Sequence, residues 1–277
     1  MVEELRRQAA RSALNDWGFI RLAWETGRTV TRGDRSSLPL FTWFVLLQSG
    51  KDARIAYNRD GLHLIVSIKE NVYGRQYFRL DGKRYYVVNF DELPERIGSV
   101  RTYSGQHAEV SSDVSMAMSR VPRLESGGFE ERVLRFEHAR ERIEVPVRLR
   151  KPRVDYFFDY PQTDLKVYFN TPLPPELLQD MKSGLAPHLE GLSQLEAVNR
   201  VLRFVQTAFD YKVDEDQFGR EKHLIPEELA WYPYSDCEDR SFLFARLAKE
   251  LLGLEVIGLY YPGHVATAVK LDRPVSG

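Results

Sequence analysis

Cysteine is nearly missing from this chain: Cys237 is the only one in 277 residues. No disulfide can form within the chain, and a single cysteine says little about compartment. An excess of either charge is missing too. Against 39 Lys and Arg stand 40 Asp and Glu, a net charge of −1. Nucleic acids and acidic membranes select basic surfaces, so neither is an expected partner, and the mixing of signs leaves no acidic or basic tail. Long apolar runs are absent. The longest, Leu38 to Leu47 in "LPLFTWFVLL", is about half of what a bilayer span needs. The opening "MVEELRRQAARSALNDWGF" is charged and helical in pattern, without the apolar centre of a signal peptide. The closing "KLDRPVSG" is a Pro/Gly turn after a strand-like run and reads as a cut before a further strand. Location therefore stays unassigned, with a targeting segment outside these residues and an extracytoplasmic site both open.

What is present suffices for a sizeable core, since 43% of the residues are hydrophobic. The pattern predicts an α+β protein in three parts. Residues 1–95 read as an N-terminal α+β domain. Leu14, Trp17, Ile20, Leu22 and Trp24 keep helical spacing, Leu38 to Leu47 follows a capping loop, and Asp60-Gly61 and Asp81-Gly82 signal hairpins. Residues 96–174 read as β-rich, because "ERVLRFEHARERIEVPVRLRKPRVDYFFDYPQTDLKVYFN" alternates polar and apolar residues, with Pro146, Pro152 and Pro161 breaking it up. Residues 175–277 return to helices. "SQLEAVNRVLRFVQTAFDY" carries Leu195, Val198, Leu202, Val205 and Phe209 on one face, with Ser193 and Glu196 as a capping box. "LEVIGLYY" and "HVATAVKL" then read as two strands. Trp17, Trp24 and Trp43 read as core aromatics, and His107, His138 and His188, in polar stretches, as solvated.

Cys237 and His264 are the residues that carry chemistry. In "YPYSDCEDRSFLFARLAKELLG" the thiol falls in the first turn of a helix that Ser235 or Asp236 can cap, with Glu238 and Asp239 three residues on. Unpaired N–H groups and the helix dipole at such a place favour a thiolate, the form that attacks. The flanking Asp236, Glu238 and Asp239 oppose this, so they are expected to point away or to pair with Arg240. His264 lies 27 residues on (264 − 237) and opens a strand after Pro262-Gly263. Ala266 and Ala268, on its face, would let the helix come close, while Val265, Val269 and Leu271 would face away. A thiol at a helix start opposite an imidazole at a strand start is what a Cys–His pair requires.

The stretch "FDYKVDEDQFG … PEEL … YSDCEDRSFLFARLAKELLGLEVIGLYYPGHVATAV" resembles the core of the bacterial transglutaminase-like superfamily, which has a papain-like fold. Phe209 to Tyr211 match its aromatic-x-Tyr, Ser235 to Asp239 its Gly/Ser-x-Cys-x-Asp helix start, and Gly263-His264 its Gly-His strand opening. The likeness spans residues from about 190 onward, roughly a third of the chain. It implies Cys237 as nucleophile, His264 as general base and Asp239 as a supporting residue. An Asp on the next strand would orient the imidazole. Asp272 sits in the turn and is not that residue, so the acid is expected beyond Gly277. The Cys237 N–H would be one oxyanion donor, with the second left open among Gln217, Trp231 and Tyr232.

Shifting the sequence by 201 lays His63 on His264, Ser36 on Cys237 and Phe41 on Phe242, with Asn89 where the family places its acid. This is either a degenerate copy lacking the thiol or a coincidence of shared α+β pattern. The expected function is a cysteine hydrolase or acyl-transferase acting on a peptide or other amide through a thioester, without cofactor or metal. The alternative is an inactive transglutaminase-like module for binding or assembly. A metal site drawn from Asp236, Cys237, Asp239, His264 and His223 lacks CxxC or HExxH spacing and ranks third.

Overall fold

Hydrophobic periodicity dictates most of the elements. The structure, a computed structural model, describes residues 1–91, 96–103 and 111–272. It is an α+β fold in two compact units, Met1–Arg123 and Leu124–Gly277. The segment 96–174 is shared between them, because its first part joins the N-terminal sheet and the remainder packs into the second unit. His107 lies outside the described residues.

In the first unit come α1 (Val2–Arg11), α2 (Asp16–Val30) and α3 (Ser37–Gln48), then β1 (Ala53–Asn58), β2 (Gly61–Ser67), β3 (Tyr77–Leu80), β4 (Lys83–Val88) and β5 (Arg101–Thr102). Trp17, Ile20 and Trp24 are buried on α2 as their spacing predicts, and Asn15 caps that helix by accepting from the Gly18 N–H at 3.0 Å. Asp34, in the loop before α3, accepts from the Ser37 N–H at 2.7 Å. The five strands run in the order β3-β4-β2-β1-β5, and the described pairings of strands are antiparallel. Asp81-Gly82 forms the β3–β4 turn with φ of +50° and +78°, the conformation that dipeptide favours. The other signal is displaced by one residue: Arg59-Asp60 turns the chain and Gly61 already pairs with Asn58.

The second unit opens with the hairpin β6 (Glu130–His138) and β7 (Glu141–Leu149). Alternation buries Ile143, Val145, Val147 and Leu149 from β7. Pro146 does not break the strand; it sits opposite Val133, and a two-stranded sheet has only edges, where a missing N–H is tolerated. Then follow α4 (Lys151–Phe158), α5 (Leu165–Asn170), α6 (Pro175–Leu185), α7 (Gln194–Thr207), β8 (Asp210–Tyr211), α8 (Asp214–Phe218), α9 (Pro226–Trp231), β9 (Tyr234–Ser235), α10 (Cys237–Leu252), β10 (Val256–Tyr261) and β11 (His264–Val269). Pro152 and Pro175 open helices, where a missing N–H costs nothing. The capping box of Ser193 and Glu196 is present on α7, but its buried face is Val198, Val201, Phe204 and Val205, with Leu195 exposed. One apolar core joins the β6–β7 hairpin to α6, α7, α9 and α10. Helix α10 runs through it with Leu243, Leu247 and Ala248 fully covered.

His138 and His188 are half-buried rather than solvated, and His188 Nδ1 stands 3.9 Å from Glu141. Trp43 is half-buried and donates to the Ala53 carbonyl at 3.2 Å.

Candidate functional site

The short parallel pairing of β8 with β9 joins Asp210 to Tyr234 and Tyr211 to Ser235, which brings the end of α7 to the start of α10. Arg240 ties this corner together, donating to Ser235 Oγ at 3.0 Å and to the Phe209 carbonyl at 2.9 Å. Asp236 is the N-cap of α10, and the Asp239 carboxylate reaches back to its N–H at 3.4 Å. Cys237 is the first residue of the helix, as its sequence position predicts.

The acids do not turn away. Glu238 Oε2 accepts from the Cys237 thiol at 3.1 Å. Its other oxygen faces His223 Nδ1 at 3.2 Å, an ion-pair distance without hydrogen-bond alignment. Burial raises the Glu238 carboxyl, yet His223 and the thiol outweigh it and hold the group at about 2. For the half-buried thiol the balance runs the other way. Desolvation pushes Cys237 up to about 11, Glu238 and Asp236 add to this, and a hydrogen bond from the Val265 backbone opposes them. The resting sulfur is therefore a protonated thiol, not the thiolate a bare helix terminus would favour.

That Val265 contact also locates the strand. The β11 backbone meets the start of α10 at Val265, where Ser241 Oγ donates to the Val265 carbonyl at 3.2 Å. Val265 is buried, Val269 and Leu271 pack on the core, and His264 is exposed. The strand thus presents its valine face to the helix, the reverse of the expected assignment, because large aliphatic side chains gain more from burial than Ala266 and Ala268. Cys237 is adjacent to the backbone that follows His264, but among the described residues no hydrogen bond or ion pair joins thiol and imidazole.

The remaining expected residues are dispersed. Asp239 is fully buried and accepts from the Leu224 N–H at 2.7 Å. Gln217 lies on α8 with a buried Oε1 that no donor among the described residues reaches. Trp231 and Tyr232 pack on the core, Tyr232 edge-on to Phe218, and burial pushes the Tyr232 hydroxyl up to about 12. Among the described residues no hydrogen bond or ring contact links Gln217, Trp231 or Tyr232 to Cys237.

Three residues the motif did not single out complete the site: Asp214, Glu221 and His223. The loop between α8 and α9 is pinned over α10 by its backbone. The Lys222 N–H donates to Asp214 Oδ2 at 2.7 Å, while Lys222 Nζ pairs with buried Glu228 at 2.7 Å. This lays the His223 ring against Tyr168 and Phe242, with centroids at 5.2 and 6.1 Å. Burial raises Asp214 to about 6; burial with the Glu238 and Asp214 charges raises Asp236 to about 8; and Asp239 is raised well above the usual range by burial and Asp236. Among the described residues, two groups have ligand atoms within 4.8 Å of one another: Asp214, Glu221, His223 and Glu238, and Asp214, Asp236 and Asp239. Compared with known proteins, the chain matches no family model, no curated protein and no solved structure.

Proposed function

We propose that the C-terminal unit is a cysteine-dependent hydrolase or acyl-transferase acting on a peptide or other amide. Cys237 loses its proton to His264 and its sulfur attacks the carbonyl carbon. The C–N bond breaks, the amine leaves with the proton returned by the imidazolium, and a thioester remains. Water or a second amine then attacks that carbonyl, breaks the C–S bond and restores the thiol. The observation that carries this reading is the meeting of the α10 start with the β11 start, where Ser241 Oγ reaches both the Cys237 carbonyl at 2.8 Å and the carbonyl of Val265, the residue next to His264, at 3.2 Å. The likeness of Ser235 to Asp239 and Gly263-His264 to the transglutaminase-like core supports it further. The test is intact-mass detection of an acyl adduct after incubation with a chromogenic peptide ester. The adduct is expected on Cys237, lost in Cys237→Ala, and formed about a hundredfold or more slowly in His264→Ala. Absence of both adduct and turnover would refute the reading.

A second reading, a non-catalytic binding or assembly module on a transglutaminase-like, papain-like core, is favoured by one contact. Burial of the sulfur, reinforced by Glu238 accepting from the thiol, keeps it unreactive. It predicts no adduct, and partner binding that survives Cys237→Ala. The N-terminal unit enters this proposal as a degenerate copy. Its order α3, β1, β2, with a two-residue hairpin loop, repeats that of α10, β10, β11. Ser36 is exposed before α3, His63 is bonded to Asn58 at 3.0 Å, and Asn89 follows β4.

A further inference from the structure

Three aspartates converge at the start of α10. Asp214 opens α8, Asp236 caps α10 and Asp239 lies in its first turn. Their exposures are 2%, 7% and 0%. A carboxylate buried this deeply normally engages each oxygen with a donor or a cation. Asp239 takes the N–H groups of Leu224 and Asp236, at 2.7 and 3.4 Å. Asp214 takes one N–H, from Lys222 on Oδ2. Asp214 Oδ1 and Asp236 Oδ1 are buried, and among the described residues no donor reaches either; the group beside Asp236 is another carboxyl, Glu238. The nearby cationic side chains are engaged elsewhere: Lys222 with Glu228 and the Phe157 carbonyl, and Arg240 with Ser235 and the Phe209 carbonyl. Among the described residues no salt bridge reaches any of the three aspartates.

We propose that Asp214, Asp236 and Asp239 together bind one hard divalent cation of the calcium class. Their ligand oxygens lie within 4.8 Å of one another. Oxygens this close can share one ion, and because Mg2+ dehydrates reluctantly and keeps several waters, three carboxylates this deeply buried suit Ca2+ better. An all-oxygen set favours hard ions, and the orphan oxygens supply lone pairs that no protein donor uses. The neighbouring group that contains His223 has an imidazole and would suit a softer ion, so the two sites make opposite predictions. The inference is independent of the thiol's chemistry.

The test is calorimetric titration of the chelator-stripped full chain with CaCl2, MgCl2 and ZnCl2, with thermal melts alongside. The expected result is one Ca2+ per chain, a saturable rise in melting temperature, and Mg2+ binding at least tenfold weaker. Cys237→Ala should bind Ca2+ as the unchanged chain does. Asp214→Asn and Asp236→Asn should each weaken Ca2+ by tenfold or more. No heat and no melting shift up to about 10 mM Ca2+, beyond the weakest calcium modules, would overturn the proposal. So would Zn2+ binding without Ca2+, or wild-type Ca2+ affinity in both Asn variants. Should the variants fail to fold, the titration of the unchanged chain decides by itself.

Discussion

The Cys237 thiol donates to the carboxylate of the residue that follows it, Glu238, at 3.1 Å. That contact adds to the burial that keeps the only cysteine of the chain protonated. It also connects that sulfur to His223 through the other carboxylate oxygen.

Alkylation by iodoacetamide should follow a midpoint near 11 in the chelator-treated protein, not the ordinary thiol value of about 8.5. Glu238→Gln removes the adjacent negative charge and should move the midpoint down. Each unit of that shift speeds alkylation at pH 8 about tenfold. A midpoint near 8.5 in the unchanged protein would show that Glu238 does not hold the thiol.

Stability in chelator should fall as pH rises. Asp214 and Asp236 are raised to about 6 and about 8, so the folded chain binds more protons than the unfolded one above pH 4. Their favourable contribution is complete below the ordinary carboxylate value and is lost as pH climbs through 6 and 8. Asp236→Asn should flatten the upper part of the slope and stabilise the protein at pH 8 by on the order of 1 kcal/mol or more. Denaturant midpoints across pH 4 to 9 provide the check, and a flat profile would contradict it.

Arg153 should be indispensable to the second unit. It is 5% exposed and meets both oxygens of Glu227, itself 1% exposed, at 2.7 Å, with Glu176 as a further partner. Arg153→Ala leaves a buried carboxylate without its cation and should cost about 3–5 kcal/mol by urea unfolding. Arg153→Met with Glu227→Leu should recover most of that loss.

Gly184 on α6 admits no side chain. A Cβ there would stand 2.7 Å from Val145 Cγ1 and 3.2 Å from its Cα, so β7 would have to move away. Gly184→Ala should destabilise by about 1–3 kcal/mol, even though alanine is the better helix former. A rise in melting temperature would refute this.

Local rules read correctly at several single segments. The α7 capping box, the Asp81-Gly82 turn, Cys237 at a helix start and the β10–β11 hairpin all follow from neighbouring residues. They fail where packing chooses between faces. Leu195 is exposed and Val201 buried on α7, and Val265 rather than Ala266 meets α10, because the apolar volume on offer elsewhere in the unit selects the face.

From the sequence alone came the α+β class and the placing of one thiol in a helix first turn before a histidine-led strand, since these rest on contacts a few residues apart; the stretch after Leu149 that alternation reads as strand forms α4 and α5 instead. Only the tertiary structure decided what surrounds that thiol. Asp214 and His223 arrive from an intervening helix and loop, Asp236 and Asp239 from the helix start itself, and Glu238 turns inward between them. Charge interactions depend on distance and burial, and neither is written in residue spacing once the chain has folded back on itself.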